Sequence, residues 1–208
     1  MSGISRVKIV SQWSYSNDAY LRINSACEES ANKLYQAIFK ELSMPLIDSN
    51  VEIISCTKDE AVSRYDWQQG IDVILQFSDG TKSTMQEKYL TWHQSTLTVE
   101  ISKSSGADGA WKYCTAQYYF IGYARRLKEF GDSSFQDWIL VDWPALQRAD
   151  RMQLLKWQEN QCHNNNRRSR FKWIHFDGIP ANCVISRHPL KNEKRSAVYE
   201  AQDVFADF

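Results

Sequence analysis

The chain lacks the features that mark membrane, secreted and zinc-binding proteins. Its 208 residues contain no apolar run long enough to cross a bilayer, and the N-terminus has no signal-peptide pattern. No Cys-x-x-Cys pair occurs, and the five cysteines are odd in number and widely spaced. The later cysteines and histidines follow no familiar zinc-site spacing. These absences predict a cytoplasmic protein with buried thiols rather than a disulfide framework.

Internal repeats and clear linkers are also lacking, so the length predicts one sizeable domain. Hydrophobic residues make up 43% and charged residues 24%, which is ordinary globular composition. The formal net charge is zero but unevenly distributed: residues 1–150 hold 15 basic and 19 acidic side chains, whereas residues 151–195 hold 10 and 3. Such a basic segment suits a polyanionic partner, although a solvated basic face has the same composition.

Hydrophobic periodicity predicts the order of the secondary-structure elements. Helices are expected over residues 26–42, 112–129 and 144–159, and strands over 51–56, 96–102, 137–142, 171–176 and 183–186, with a hairpin over 71–90 and a polar, basic loop over 164–170. The polar tail beyond residue 191 is expected to be loosely held. This order predicts an α/β fold with a mixed central β-sheet flanked by helices.

The hairpin carries the strongest chemical signal. Its turn, Ser-Asp-Gly, suits a three-residue loop closed by Gly80 in the left-handed region, so that Phe77 faces Thr81. In that register the apolar residues share one face, and Asp72 lies opposite Gln86 with Lys88 on the same side. Glu87 then falls on the apolar face.

A carboxylate, an amide oxygen and an ammonium at one end of a hairpin suit a hard cation held beside a phosphate. The structural alternative is an ordinary hairpin in which Asp72 and Lys88 form an exposed ion pair of little consequence.

The PD-(D/E)XK nuclease superfamily has the same order of elements: a helix, a pair of strands, another helix and a strand. The hairpin resembles its motif, with Asp72 as the first acid, Gln86 in the Asp/Glu position and Lys88 as the lysine. Several further segments resemble small nuclease-like proteins of phages and bacteria: Asp66 to Asp72, Thr98 to Glu100, Gly109 to Trp111 and Ala116 to Tyr123. The resemblance covers about residues 25–150 and leaves a basic C-terminal extension, about 151–208, uncovered.

The resemblance implies a single nuclease-like domain with a restriction-endonuclease-like core. Its expected activity is hydrolysis of DNA phosphodiester bonds with Mg²⁺ or Mn²⁺, in the host cytoplasm if the chain is phage-encoded. Asp72, Gln86 and the backbone carbonyl of Glu87 would bind the metal, and Lys88 would orient the attacking water and offset phosphate charge.

Gln86 leaves this site one negative charge short. A catalytically inactive DNA-binding or inhibitor protein of the same fold is therefore an alternative, and an RNA-directed nuclease is a third. Candidates for the missing charge are Glu28 and Glu29 on the first helix and Glu100 on the following strand. Alternatively, the helix acids are a solvated first turn, and Glu100 pairs with Lys103 or Lys112.

Two further groups complete the predicted site. Gln117 resembles a helical polar residue that supports such sites, although the aromatic run around it also suits simple core packing. A group of basic side chains is expected to contact phosphates, and Trp173 among them to stack on a base. The alternative is a solvated loop without a binding role. The basic residues are Arg167, Arg168, Arg170 and Lys172. DNA is the expected partner, no membrane is involved, and a homodimer is compatible with the sequence.

Overall fold

A computed structural model of the chain describes residues 18–47, 69–90, 94–103, 105–124, 135–164 and 167–188, and for residues 18–26, 29, 160–164 and 167–168 only the backbone. The helices are α1 (Asp18–Glu41), α2 (Ala110–Tyr113) and α3 (Trp143–Arg151). The strands are β1 (Val73–Gln76), β2 (Lys82–Leu90), β3 (Thr96–Ser102), β4 (Tyr118–Ala124), β5 (Phe135–Asp142), β6 (Gln158–Asn164), β7 (Arg167–His175) and β8 (Val184–His188). Short 3₁₀ turns at Phe176–Gly178 and Ala181–Cys183 precede β8.

The strands form two sheets. The larger sheet has the order β1-β2-β4-β5-β8, in which only β2 and β4 run parallel. The smaller sheet has the antiparallel order β3-β7-β6. The prediction of an α/β fold with a mixed central sheet is confirmed. Residues beyond 150 contribute to both sheets, since β7 pairs with β3 and β8 pairs with β5.

Apolar side chains cover both faces of the larger sheet. Helix α1 packs on one face, where Tyr35 and Phe39 meet Phe77 and Phe120 in edge-to-face aromatic contacts. On the other face, the second core joins this sheet to β3, β7 and α3. Every residue of β4 is buried, so β4 lies at the centre of the layers.

The hairpin has the predicted register. Val73 pairs with Met85 and Gln76 with Lys82, and the Phe77 amide donates to the Thr81 carbonyl over 2.9 Å. Gly80 adopts φ +84°, as the three-residue turn requires. The apolar face of the hairpin is buried against α1, since Val73 and Met85 are at most 1% exposed. Burial of that face fixes the register, because a slip by one residue would turn it to solvent.

Five other predictions differ from the structure or fall on residues outside it. Residues 118–124 form strand β4 rather than part of a helix, and helix α3 ends at Arg151 rather than near 159. Of the expected basic loop over 164–170, residue 164 belongs to β6 and residues 167–170 belong to β7, whereas residues 165 and 166 lie outside the described residues. The predicted strand over 51–56 and the tail beyond 191 lie outside the described residues.

Candidate active site

The open end of the first hairpin brings Asp72 and Gln86 together. The Asp72 amide donates to the Met85 carbonyl over 2.9 Å, which extends the β1–β2 pairing by one residue. Because side chains alternate along a strand, Asp72, Gln86 and Lys88 lie on the face opposite α1, as the register predicts. Ile74, on the same face, packs against the core between the sheets.

Two oxygen atoms converge on the amide nitrogen of Gln86. This Nε2 donates hydrogen bonds to Asp72 Oδ2 and, over 3.2 Å, to the backbone carbonyl of Glu87. Asp72 Oδ2 also accepts the backbone N–H of Glu87 over 2.8 Å. The three groups expected to bind a metal are therefore neighbours, and the Gln86 amide nitrogen lies where the oxygens of Asp72 and Glu87 meet.

Gly70 and Cys114 form a wall behind the Gln86 amide. Gly70 has φ +58°, and a Cβ there would lie 3.0 Å from Gln86 Oε1 and 3.1 Å from both Cys114 Cβ and Tyr113 Cε2. The Cys114 thiol donates to the Gly70 carbonyl over 3.3 Å. Burial, with a smaller contribution from the Asp72 charge, raises the pKa of Cys114 to about 12. Because Gly70 has no side chain and the Cys114 thiol is uncharged, the Gln86 amide fits against both residues.

Lys88 extends to the second sheet. Its Nζ lies 5.3 Å from the ring centroid of Phe171 on β7. Part of the residue keeps contact with solvent, but burial around the ammonium lowers its pKa to about 8, and the Glu100 carboxylate on β3 opposes that shift. Glu100 is therefore close enough to act on the charge of Lys88. Lys112, one alternative partner for Glu100, bonds Asp108 over 2.6 Å instead.

Glu87 and Glu28 lie on the other side of the sheet. The Tyr35 hydroxyl of α1 donates to Glu87 Oε1 over 2.8 Å, so this acid on the apolar face has a buried polar partner. Burial first, and then the charges of Glu28 and Glu87, raise the pKa of Cys27 to about 11. Both carboxylates therefore act on Cys27 from the α1 side of the sheet, whereas the side chain of Glu29 lies outside the described residues.

The residues at the hairpin end fit a hard cation through oxygen donors of three kinds. They are the carboxylate of Asp72, the amide of Gln86 and the carbonyl of Glu87, and Mg²⁺ and Mn²⁺ prefer such ligands. Asp72 Oδ2 and the Glu87 carbonyl already converge on one partially positive group, the Gln86 amide nitrogen. Within the described residues, no group of three His, Cys, Asp or Glu side chains forms a metal cluster.

The structure does not place Gln117 on a helix. It precedes β4, its side chain is exposed, and its backbone N–H donates to the carbonyl and hydroxyl of Thr84 over 3.0 and 3.1 Å. Its carbonyl accepts the Trp143 amide over 3.0 Å. The helix prediction failed because β4 is buried on both faces and so shows no alternation. Gln117 joins β2, β4 and α3 through its backbone.

Lys172 is an interior residue. It is 6% exposed, and its ammonium bonds Asp150 Oδ2 over 3.0 Å. The same Nζ lies 3.2 Å from the ring centroid of Trp111 and 4.3 Å from that of Trp157, whose indole N–H donates to Asp150 Oδ1 over 2.6 Å. The expectation that Lys172 contacts phosphates therefore needs correction, because alternation along β7 directs this side chain into the core.

The other basic residues lie in the first half of β7, the central strand of the smaller sheet. Arg170 is exposed and bonds Glu159 across the β6–β7 hairpin over 2.9 Å. Arg167 and Arg168 belong to β7, and their side chains lie outside the described residues. Trp173 is half-buried and packs edge-to-face on His175 at 5.3 Å.

Three contacts of the site were not predicted from the sequence: Tyr35 with Glu87, Cys114 with Gly70, and Phe171 with Lys88. The one sequence signal was Glu87 itself, an acid on an apolar face that requires a polar partner from the packing helix. The positions of Cys114 and Phe171 follow from the path of the chain between the two sheets.

Comparison with known proteins assigns no family. No family model matches the chain, and neither the curated proteins nor the solved structures contain a significant match. No helix in the part of the chain described here is long and apolar enough to cross a membrane.

Proposed function

We propose that the protein is a divalent-metal-dependent nuclease that hydrolyses phosphodiester bonds of DNA. The observation that carries the proposal is the convergence of Asp72 Oδ2 and the Glu87 carbonyl on the Gln86 amide. Lys88 follows Gln86 by two residues on the same strand. The first helix and the hairpin further support a restriction-endonuclease-like core. Strand β4, which forms where that order of elements has its second helix, and the second sheet are departures from it.

Asp72, Gln86 and the Glu87 carbonyl would hold Mg²⁺ or Mn²⁺. The bound ion would lower the pKa of a coordinated water and offset charge on the scissile phosphate. Rotation of the Gln86 amide by half a turn exchanges its nitrogen and oxygen, so that its oxygen faces the other two ligands. Glu87 keeps its carbonyl in place because Tyr35 anchors its side chain and Asp72 accepts its N–H.

Lys88 supplies the positive charge of the site. With a pKa of about 8 it carries its proton at neutral pH, yet burial has removed much of its hydration. A poorly hydrated ammonium interacts more strongly with a phosphate oxygen than an exposed one does. Lys88 would therefore orient the phosphate and the attacking water, while Arg167, Arg168 and Arg170 contact the flanking backbone.

One observation favours a second function, that of an inactive DNA-binding or inhibitor protein with the same fold. The Gln86 amide presents its nitrogen, not its oxygen, to Asp72 and Glu87. Those hydrogen bonds give the two oxygens partners without a cation, so the network can form in the absence of metal.

A cleavage panel separates these functions. Purified protein is incubated with single-stranded, double-stranded and branched DNA and with RNA, in Mg²⁺, Mn²⁺ or chelator, and products are resolved on denaturing gels. We expect metal-dependent DNA cleavage that Lys88→Ala abolishes and Lys82→Ala, at an exposed position of the same strand, leaves intact. DNA binding without cleavage of any substrate would support the inactive protein, and cleavage confined to RNA would support the RNA nuclease.

A further inference from the structure

The smaller sheet contributes an aromatic residue to the surroundings of Lys88. The ring centroid of Phe171 lies 5.3 Å from Lys88 Nζ, within the distance of about 6 Å at which a ring face attracts a cation. The two residues are on different sheets, so this contact depends on how β7 is placed against the end of β2.

Neighbouring contacts fix the position of Phe171. It pairs across the smaller sheet with Glu100, just before the register shift between Glu100 and Ser102. The next residue, Lys172, is anchored in the core by Asp150 and two tryptophan rings. An anchored residue on one face of a strand orients the side chain before it on the other face. The backbone of β7 at Phe171 is therefore held by its pairing with β3 and by the anchored Lys172.

We propose that Phe171 is a positioning residue, which holds the Lys88 ammonium in the orientation that hydrolysis requires. This inference rests on the proposed nuclease function. Lys88 has a flexible four-carbon stem, and a ring face attracts the ammonium without neutralising its charge or accepting its proton. Glu100, whose carboxylate acts on the same ammonium, adds electrostatic attraction from the adjacent strand.

Two substitutions at Phe171 separate the ring from simple packing. Phe171→Leu keeps an apolar side chain but removes the ring face, whereas Phe171→Tyr keeps the ring. Trp138→Leu removes a half-buried aromatic residue on β5 and serves as the matched control. Each protein is measured for kcat and KM on the DNA that the wild type cleaves best. The proton resonances of the Lys88 ε-methylene are followed by NMR in metal-free protein, where the Phe171 ring current shifts them.

We expect Phe171→Leu to lower kcat by about three- to thirtyfold with KM unchanged, because orienting the ammonium affects the transition state more than binding. Phe171→Tyr should restore both kcat and the ring-current shift. Equal kcat for the leucine variant and the wild type, or equal loss in the tyrosine and leucine variants, would overturn the proposal.

The NMR measurement distinguishes this inference from the proposed function. If the wild type cleaves nothing, the nuclease proposal fails, yet loss of the Lys88 shift in Phe171→Leu and its recovery in Phe171→Tyr still establish that the ring orients the ammonium. Unchanged Lys88 resonances in the leucine variant would show that Phe171 does not position Lys88.

Discussion

The amide nitrogen of Gln86 bonds the Asp72 carboxylate and, through its second hydrogen, the Glu87 carbonyl 3.2 Å away. A neutral side chain thereby occupies the point where two oxygens of the proposed metal site meet. If a cation binds there, the residue type at position 86 sets both its affinity and the stability of the hairpin end without it.

Gln86→Glu should increase affinity for Mg²⁺ and Mn²⁺ and lower the melting temperature of the metal-free protein. The new carboxylate adds an anionic ligand, but without a cation it lies against Asp72 and repels it. Thermal unfolding with chelator and with increasing metal measures both effects, since a ligand that binds only the folded state raises its stability. Gln76→Glu, at the turn end of the same hairpin, is the control and should show no metal dependence. Identical metal responses in the two variants would argue against a cation site at Gln86.

Gly70→Ala should destabilise the protein more than Gly80→Ala. Both glycines have positive φ, +58° and +84°, so each substitution costs about 1 kcal/mol in backbone strain. Only at Gly70 does the added Cβ meet close neighbours, whereas at Gly80 nothing lies within 4 Å. Urea unfolding of both variants gives the difference. Equal losses would mean that the wall behind Gln86 is not tightly packed.

Lys88→Met should abolish cleavage and yet stabilise the fold at pH 7. Because burial lowers the pKa of Lys88 from 10.5 to about 8, the charged lysine opposes folding. That cost is fully present below pH 8 and disappears as the pH rises towards 10.5. The variant should therefore gain up to about 3 kcal/mol at pH 7, at about 1.4 kcal/mol per pKa unit.

Urea unfolding at pH 7 and pH 10, with chelator present, tests this pH dependence. The advantage of Lys88→Met over the wild type should shrink at the higher pH. Lys112→Met, which removes an exposed ammonium, is the control and should change stability little. A variant less stable than the wild type at pH 7 would indicate that Lys88 stabilises the fold.

Lys172→Met should cost about 3 kcal/mol of stability, because it leaves the Asp150 carboxylate without its buried partner. The affinity of the folded variant for DNA, and the slope of log affinity against log salt concentration, should stay unchanged. Arg168→Ala and Arg170→Ala should each weaken DNA binding and reduce that slope by about one. A reduced slope in Lys172→Met would restore the phosphate-binding interpretation.

The sequence predicts elements well where one face of a strand or helix is polar. The hairpin register followed from Val73, Phe77 and Met85 on one face and Gly80 at the turn. Strand β3 was predicted with its observed ends, and the first helix in most of its length, for the same reason.

The sequence fails where both faces are buried or where long-range pairing decides the structure. Strand β4 has seven consecutive buried residues, so its aromatic run lacks the period-two pattern of a half-exposed strand. The β6–β7 hairpin is so polar that composition predicts a loop, and β7 is a strand because it pairs with β3. Helix α3 ends early, and Gln153 follows it in the left-handed region at φ 59°.

Within the candidate site, the sequence likewise predicted the local arrangement and missed the contacts made by distant segments. Asp72, Gln86 and Lys88 were predictable because they are close in sequence and one turn sets their register. The interior position of Lys172 depends on Trp111, Trp157 and Asp150, which converge from three separate segments. No pattern within β7 distinguishes a lysine that faces such partners from one that faces solvent.

The contact between Lys88 and Phe171 also has a consequence for the order of assembly. Asp72 and Gln86 are 14 residues apart, so the oxygen ligands can meet once a short hairpin closes. Phe171 follows Lys88 by more than eighty residues, and closing a longer loop is slower and costs more entropy. A chain still emerging from the ribosome would therefore bring the proposed metal ligands together before Lys88 has its aromatic neighbour, and the proposed activity would require synthesis of β7.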